Sequence, residues 1–405
     1  MDDVEFTAAD DGQWKQYQAL ATRAYGETVP DIALLGAHGD RRVALRGSRV
    51  VAGGLGVVVP QWFGGRAVPA ASLGCGAVAP EERGGRLAGQ LMAQRVRAVR
   101  EQGAVLATLW TASSRYVRRL GWEAPAQVLS WTVPTAALRR EQAATDTLEI
   151  THGDSGALAG LRERLAGQWN GPWQRPTWWA AWQQQAHPDV ATYAFAPPGR
   201  EATGALAVAV RRAPGGRELV VYDFWAADAA TSDGMLAFLG GHHGRIPSVL
   251  FERTALPPGP LLPQRLARIG EARARSWHPW MLRVLDPVRA VELRGWPPHL
   301  DDELVLDIDH GHAAADADAG GEAAGEAGRR FTLAIGGGRA RLDPGGPRGR
   351  AADVTLSGGQ FAVWYAGGYR STAAAALAGI RGNADALARL LAATTDREAW
   401  LADYF

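Results

Sequence analysis

The sequence predicts an α/β protein built from more than one domain. The chain has 405 residues, apolar runs of strand length alternate with stretches of helical periodicity, and this alternation starts afresh twice along the chain. Hydrophobic residues make up 47% and charged residues 21% of the sequence, a composition that excludes disorder of the whole chain. We place boundaries near 145 and 280, which gives domains of 1–145, 146–280 and 281–405.

A helix followed by three strands is predicted to open the first domain. Asp10 and Asp11 form a helix N-cap signal, and apolar residues recur behind them on one helical face. The members of this face are Trp14, Tyr17, Leu20, Ala21 and Ala24. The strands are predicted over 43–45, 50–59 and 73–79, the last ending at Pro80.

From Gly84 the apolar period becomes that of a helix. The helix presents an apolar stripe that we expect to pack on the sheet, formed by Ala88, Met92, Val96 and Val99. Basic residues are placed around this stripe, namely Arg83, Arg86, Arg95, Arg97 and Arg100. An apolar strand over 104–110 and a short helix over 113–120, terminated by Gly121, complete the pattern.

Similar patterns predict two more domains. A second α/β unit follows residue 145, with strands over 192–195, 204–210, 219–225 and 248–252. The tryptophans of its segment 169–182, which include Trp178 and Trp182 at i, i+4, suit core packing, a substrate channel or a subunit interface. The third domain begins with a strand over 281–285. Residues 400–405 are too aromatic for a solvated tail, so we expect them to be docked.

Composition and charge exclude several classes of function. The 43 basic and 42 acidic residues give a formal net charge of +1, so neither a nucleic acid nor a membrane is expected as a partner. The single cysteine, Cys75, excludes an intrachain disulfide and a multi-cysteine metal site, and we expect it to be a buried structural thiol. The N-terminal residues lack a signal-peptide pattern, which predicts a cytoplasmic protein.

A metal site has little support from the sequence. The histidines and aspartates nearest to a ligand pattern lie close together in an acidic stretch and more often are solvated. They are Asp307, Asp309, His310 and His312. We therefore expect no metal.

The strand–turn–helix junction around residue 84 is the strongest candidate for chemistry. Gly84 and Gly85 let the backbone approach a ligand, and the N–H groups at the start of the following helix favour a pyrophosphate. Arg83 adds a positive charge. The turn alone leaves open an ordinary strand-to-helix connection.

The stretch from Val78 to Met92 resembles the acetyl-CoA loop of the GCN5-related N-acetyltransferases (GNAT), Val-x-Pro-x-x-Arg-Gly-x-Gly-x-Ala. With 61–69 and 116–122, the whole chain is similar to the Eis (enhanced intracellular survival) family. The resemblance implies two tandem GNAT-like units followed by a sterol-carrier-protein-like domain, to which we assign 282–286 and 352–356. It also implies acetyl-CoA as co-substrate, bound at Val78, Arg83, Gly84, Gly85, Leu87 and Ala88.

The same resemblance implies acetyl transfer to a primary amine, either on a small cationic molecule such as an aminoglycoside or on a lysine side chain. Tyr116 would be the acid, the C-terminal carboxylate of Phe405 the base, and the chain a homo-oligomer, a hexamer in the family. Arg86 stands where the loop pattern has its last glycine, and Val117 where the family has its acid tyrosine. These departures keep open a ligand-binding protein of the same fold without turnover, and the last domain leaves a lipid carrier as a third alternative.

Overall fold

The structure is a computed structural model that describes residues 4–141, 148–153, 158–214, 216–253, 255–258, 270–309, 330–346 and 350–404. Its strands are β1 (Val4–Ala8), β2 (Asp40–Arg46), β3 (Arg49–Val58), β4 (Gln61–Phe63), β5 (Arg66–Val68), β6 (Ala70–Val78), β7 (Leu106–Trp110), β8 (Leu129–Pro134), β9 (Glu149–Gly153), β10 (Ala191–Ala196), β11 (Gly204–Ala213), β12 (Gly216–Ala226), β13 (Ser248–Phe251), β14 (Arg273–Ser276), β15 (Trp280–Val284), β16 (Asp302–Asp309), β17 (Arg330–Gly336), β18 (Arg339–Pro344), β19 (Val354–Ser357) and β20 (Arg381–Gly382). Its α-helices are α1 (Asp11–Tyr25), α2 (Pro30–Leu35), α3 (Leu87–Glu101), α4 (Ser114–Arg118), α5 (Thr135–Glu141), α6 (Ala159–Ala166), α7 (Trp179–Ala186), α8 (Ala229–Gly240), α9 (Pro287–Leu293), α10 (Gly358–Tyr365), α11 (Thr372–Leu377) and α12 (Ala384–Ala392).

The chain forms two compact units, each made of separate stretches of sequence. The first unit contains 1–125 and 279–397, and the second contains 126–278 and 398–404. Strand β8, expected in the first domain, pairs in the sheet of the second unit. Strand β15, expected to open the third domain, pairs antiparallel with β7 in the first unit. Most residues of β7 and β15 are buried and apolar, so the pairing of these strands extends the core of the first sheet.

The first sheet of the first unit has the order β1-β2-β3-β6-β7-β15. Helix α1 confirms the helix predicted behind Asp10, whose side chain accepts a hydrogen bond from the N–H of Gln13 in a capping box. Tyr17 of α1 lies against Gly53 and Arg95 of α3 against Gly54. Adjacent strand residues face opposite sides of a sheet, so α1 and α3 cover its two faces.

The C-terminal part of the first unit is a five-stranded sheet of order β18-β17-β16-β19-β20 with helices α9 to α12. Aromatic side chains pack its core, as in the contacts of Trp364 with Trp296 and with Phe361. The guanidinium of Arg294 is fully buried here and stacks on Trp296 and Tyr365. No helix in the described part of the chain is both long and apolar enough to cross a membrane.

The second unit is built on a seven-stranded sheet of order β14-β8-β13-β12-β11-β10-β9. Its strands pair antiparallel except β12 and β13, which are parallel. The tryptophan-rich segment contributes to the core, because Trp173, Trp179 and Trp182 are at most 5% exposed. Their rings pack against one another, with centroids 5.2 Å apart for Trp173 and Trp179 and 4.4 Å for Trp179 and Trp182. These three side chains therefore pack in the core, which was one of the three roles considered for the tryptophans beside a substrate channel and a subunit interface.

Residues 398–404 are docked on the second unit, as the aromatic content of this segment predicted. The buried ring of Trp400 lies against Trp169 and Trp225, and the guanidinium of Arg253 lies 3.5 Å from the ring centroid of Tyr404. Phe405 itself lies outside the described residues.

A buried carboxylate, Asp403, is the polar centre of this docked segment. It accepts hydrogen bonds from the backbone N–H of Trp173 at 2.7 Å, from Arg162 at 2.9 and 3.1 Å and from Arg175 at 2.8 Å. Arg175 also forms two bonds of 2.7 Å with Asp223. Burial works to raise the pKa of Asp223, but Arg175 outweighs it and holds this pKa below its usual value. The two guanidinium groups thus share the buried carboxylates of Asp403 and Asp223, and Arg162 also pairs with Glu163 at 3.3 Å.

Replacing Asp403 with alanine is expected to lower the free energy of unfolding of the second unit by about 3–5 kcal/mol, because two buried guanidinium groups lose an anionic partner. Hydrogen exchange of β11 and β12 under increasing urea would measure this loss. The matched control is Glu201→Ala in the same unit, which removes an exposed ion pair with Arg164 and should change stability by about 1 kcal/mol or less. Equal effects of the two substitutions would contradict the role of Asp403.

Candidate functional site

The first sheet opens between its neighbouring strands β6 and β7. These strands pair in parallel only from Ala70 to Ser72, against Leu106 to Thr108. The rest of β6 continues to pair with β3 on its other edge. Gly76 is exposed although it lies in a central strand of the sheet. Beyond Ser72 this edge of β6 is thus unpaired in the described structure and is exposed at Gly76; we call the space beside it the cleft.

A β-bulge shapes β6 at this cleft. Gly53 of β3 pairs with Ala77 and Leu55 pairs with Gly74, so one residue of β3 opposes two of β6. Cys75 takes a φ of 51° at the bulge, a left-handed conformation that few residues other than glycine adopt. We expected Cys75 to be fully buried on a core strand, but the bulge leaves it partly accessible.

Side chains from both faces of the sheet meet at this bulge. Arg95 of α3 is 4% exposed, and its Nη2 donates hydrogen bonds of 2.6 Å to the carbonyl oxygens of Leu55 and Gly74. The hydroxyl of Tyr17 donates to the carbonyl oxygen of Cys75. The placement of Arg95 beside the apolar stripe was wrong, because the glycines of the bulge leave a space that its guanidinium fills.

The loop after β6 confirms the predicted strand–turn–helix geometry. A short 3-10 turn over Pro80–Glu82 leads to Gly84, whose φ of 88° requires glycine. A Cβ on Gly85 would meet no atom within 4 Å. Arg86 has the right-handed conformation, with φ −83° and ψ −8°, so the backbone does not need the glycine that the family pattern has there.

The helix that follows the loop begins without a capping side chain. The first N–H groups of an α-helix have no acceptor within the helix and carry a partial positive charge. Of the expected cofactor residues, Arg83, Gly84 and Gly85 are exposed beside these groups, whereas Leu87 is buried. Val78 and Ala88 are partly accessible at the two ends of the loop. Leu87 could therefore contribute its backbone but not its side chain to a ligand.

The charges around the loop are sorted so that its tip is positive. Glu81 pairs with Arg23 and Arg49, at 3.1 and 3.2 Å. Glu82 pairs with Arg49 at 2.7 Å and also with Arg46. In the described part of the chain, by contrast, neither of the two loop arginines forms an ion pair; these are Arg83 and Arg86. The geometry and charge of this turn fit an anionic ligand such as a pyrophosphate.

The two candidate acid positions on α4 face different surroundings. Val117 is 3% exposed and belongs to the core cluster that contains Leu73 and Val96. Tyr116 packs at the edge of this cluster, and its buried hydroxyl finds no hydrogen-bond partner among the described residues. That hydroxyl lies 3.6 Å from where a Cβ on Gly89, in the first turn of α3, would be. Burial raises the pKa of Tyr116, so its hydroxyl stays protonated at neutral pH.

The remaining candidates are the expected base and the residues of the metal-ligand pattern. Phe405, the expected base, lies outside the described residues, as do His310 and His312. Asp307 forms two hydrogen bonds with Arg330, at 2.9 and 3.0 Å. Within the described ranges, no group of three or more His, Cys, Asp or Glu side chains could hold a metal ion.

The second unit repeats the parallel strand pair but not the anion-binding turn. Strand β12 pairs with β13 over four residues, and helix α8 follows β12 directly. Asp228 caps α8, where its carboxylate accepts a hydrogen bond of 2.8 Å from the N–H of Thr231. A carboxylate already occupies the helix N-terminus here. From the sequence we did not predict that the helix N-terminus of the second unit is capped by a carboxylate. An aspartate directly before an apolar helix is a known N-cap signal and could have predicted it.

Three family models match successive parts of the chain. A GNAT acetyltransferase domain matches residues 5–124, a second GNAT acetyltransferase domain matches 171–284, and a sterol carrier protein domain matches 287–402. A relative from Streptomyces avermitilis, described as an uncharacterized N-acetyltransferase, is 29% identical over 84% of this chain and 82% of its own length.

Solved structures share the fold of the whole chain. A GCN5-related N-acetyltransferase from Anabaena variabilis has a TM-score of 0.81 at 22% identity, and Eis1 from Mycobacterium abscessus has 0.75 at 16%. Both comparisons cover all of each chain. A GCN5-related N-acetyltransferase from Kribbella flavida has 0.79 at 22%, covering all of this chain and 98% of its own. The chain is thus an acetyltransferase of the GNAT type, with two GNAT domains followed by a sterol carrier protein domain.

Proposed function

We propose that this protein is an Eis-like, acetyl-CoA-dependent N-acetyltransferase whose first GNAT domain transfers the acetyl group to a primary amine. The observation that carries the proposal is the accessible edge of β6 at Gly76, which leads into an uncapped helix N-terminus with Arg83 beside it. Such a turn binds a diphosphate, and the open strand edge offers backbone donors to a carbonyl group. We propose the cytoplasm as its compartment and a homo-oligomer as its assembly, a hexamer by resemblance to the Eis family.

The first unit suits acetyl-CoA better than the second does. At α3 the N–H groups of the first turn have no capping side chain, whereas at α8 the carboxylate of Asp228 takes that place. A diphosphate at α8 would face this carboxylate and be repelled by it. We therefore assign the co-substrate to Val78, Arg83, Gly84, Gly85, Leu87 and Ala88.

The chemistry requires a base for the amine and an acid for the thiolate. In the transfer, the N–C bond forms and the C–S bond breaks, the amine loses a proton and the thiolate gains one. We propose Tyr116 as the acid, supported by a buried, protonated hydroxyl near the start of α3. The resemblance to the Eis family supports the carboxylate of Phe405 as the base. Because an α-carboxylate has a pKa of about 3.3–3.7, it would act through a water or when partly desolvated.

The acceptor is proposed from the resemblance alone: a primary amine of a small cationic molecule of the aminoglycoside kind, or a lysine side chain. Release of free thiol from acetyl-CoA, measured with aminoglycosides, polyamines and lysine peptides, tests the function directly. Thiol release that depends on one of these amines is the expected result.

One observation favours a second candidate, a GNAT-fold protein that binds its ligand without turnover. Val117 occupies the position of the family's acid and is buried in the core, so it supplies no proton. Binding of coenzyme A without thiol release for any amine of the panel would support this candidate and contradict the transferase.

Replacing Arg83 with alanine is expected to weaken coenzyme A binding about 10-fold, because a charged hydrogen-bond donor to the diphosphate is lost. Isothermal titration measures the affinity. The matched control is Arg97→Ala in the C-terminal half of α3, the helix that follows the loop; it removes an exposed ion pair with Glu101 and should leave the affinity unchanged. If both variants bind coenzyme A as the unsubstituted protein does, the turn is not the diphosphate site.

Replacing Tyr116 with phenylalanine is expected to lower kcat by about 10²–10⁴-fold if its hydroxyl is the acid. Thermal stability without ligand should not fall, because none of the described residues bonds to this hydroxyl. Tyr365→Phe provides the contrast, since the buried Tyr365 hydroxyl donates a bond of 3.0 Å to Ala290. That variant should lose about 1 kcal/mol of stability and keep its kcat. An unchanged kcat in Tyr116→Phe would refute the acid assignment.

Deletion of Phe405 is expected to abolish turnover while coenzyme A affinity is kept, because the base is lost but the turn is intact. A chain with one alanine added after Phe405 keeps the aromatic ring and moves the carboxylate. It should be inactive as well. Steady-state rates of thiol release measure both, and activity equal to that of the unmodified chain in either variant would refute the base assignment.

A further inference from the structure

We infer that Tyr17 and Arg95 are positioning residues that hold the bulge of β6 so that the N–H groups of Gly76 and Val78 point into the cleft and bind the thioester oxygen. This inference rests on the proposed function, because it assigns the donors of the same acetyl-transfer site. Both side chains are buried, with exposures of 0% for Tyr17 and 4% for Arg95, so we assign neither of them a direct contact with substrate. Each acts through the backbone of β6 to which it is bonded.

Three successive carbonyl groups of the bulge are held by side chains rather than by a neighbouring strand. The oxygen of Gly74 accepts from Arg95 at 2.6 Å, that of Cys75 accepts from the Tyr17 hydroxyl, and that of Gly76 accepts from Tyr25 at 2.8 Å. A backbone in the left-handed region costs free energy unless its surroundings fix it. These three bonds fix the peptide planes on both sides of Cys75.

The held carbonyls determine where the N–H groups point. In a trans peptide the C=O and the N–H of one plane point in opposite directions. The oxygen of Cys75 faces Tyr17, so the N–H of Gly76, in the same plane, points away from Tyr17. Because Gly76 is exposed, we infer that a ligand can reach this N–H group.

The N–H of Val78 faces the same accessible edge. Ala79 donates its N–H to the oxygen of Val51 in β3, at 2.9 Å. Because successive N–H groups of a strand alternate between its two edges, that of Val78 faces away from β3. On that side the described pairing with β7 has ended at Ser72. The N–H groups of Gly76 and Val78 thus face the same part of the cleft, where both can donate to one oxygen atom.

The glycines around the bulge make room for the positioning side chains. A Cβ on Gly54 would lie 2.5 Å from the guanidinium carbon of Arg95, and one on Gly76 would lie 2.9 Å from its Nη1. A Cβ on Gly53 would lie 2.5 Å from the ring of Tyr17. Glycine at these three strand positions, Gly53, Gly54 and Gly76, provides no side chain to pack and so weakens the strands. The space left by these glycines lets Arg95 and Tyr17 reach the bulge from opposite faces of the sheet.

The decisive variant is Tyr17→Phe, which removes the hydroxyl and keeps the ring. It should lower kcat by about 10- to 100-fold, somewhat less than loss of an oxyanion donor, because the Gly76 N–H is misdirected but present. The affinity for coenzyme A, which lacks the acetyl carbonyl, should stay unchanged. Tyr365→Phe is the matched control, a buried tyrosine whose hydroxyl also bonds to a carbonyl oxygen but lies outside the cleft, and it should keep its kcat.

Arg95 is tested with two variants of similar length. Arg95→Met removes the donor and should lower kcat in the same way. Arg95→Lys keeps one cationic nitrogen, and since Nη2 alone makes both bonds to Leu55 and Gly74, it should restore part of the rate. A structural role alone predicts instead that kcat, coenzyme A affinity and thermal stability decline together in both variants, and this result would overturn the inference.

A spectroscopic measurement separates this inference from the proposed function. The infrared stretch of ¹³C-labelled acetyl-CoA reports hydrogen bonds to the thioester oxygen without any turnover. Binding to the unsubstituted protein should lower the frequency, and in Tyr17→Phe it should move back toward the value in solution. If no amine is acetylated but these shifts occur, the proposed function fails and the positioning role stands. An identical frequency in both proteins would overturn the positioning role even for an active enzyme.

Discussion

The loss of pairing between β6 and β7 after three residues is the constraint on which the first unit depends. A central strand normally has both edges satisfied, and an unpaired edge inside a sheet costs free energy unless water or a ligand satisfies it. Here the other edge of β6 stays paired with β3, so the strand keeps its position while one row of backbone groups is released. The helix that follows begins at the end of this row, again with unsatisfied N–H groups. The unsatisfied polar groups at this edge are therefore mainly backbone groups, and the exposed side chain of Arg83 adds a positive charge beside them.

Buried arginines solve the same energetic problem in three ways in this protein. At the bulge, the guanidinium of Arg95 is satisfied by carbonyl oxygens. In the second unit, Arg162 and Arg175 share carboxylates, and burial still lowers the pKa of Arg162 to about 10. Arg294 lies between aromatic rings and also donates a hydrogen bond to the carbonyl oxygen of Tyr365, and burial lowers its pKa to about 10. A charge taken out of water must find such partners, because its desolvation costs several kcal/mol.

Local patterns in the sequence were enough for much of the fold and for the position of the turn. The capping signal at Asp10, the breaks at Pro80 and Gly84 and the apolar period of α3 all act over a few residues, and the structure has the corresponding elements. Features that join distant residues were not accessible in this way. Arg95 looked like a flanking cation because its acceptors, Leu55 and Gly74, lie 40 and 21 residues away. The exchange of β8 and β15 between sheets also depends on pairing that no local period reveals.

The route of the chain makes the second unit an insertion with adjacent ends. Glu123 and Leu282 exchange backbone hydrogen bonds of 3.0 and 2.8 Å on the first unit, and Trp277 donates one of 2.9 Å to Val128 on the second. Because these ends are adjacent, deleting 126–278 and joining Pro125 to Pro279 with a short linker should preserve the fold of the first unit. Truncation of the chain at a single position would instead remove one of the two stretches that form this unit. The excised fragment would still lack 398–404, and with it the carboxylate that neutralises Arg162 and Arg175. A synthetic heptapeptide of that sequence, supplied in trans, is the natural complement for such a split protein.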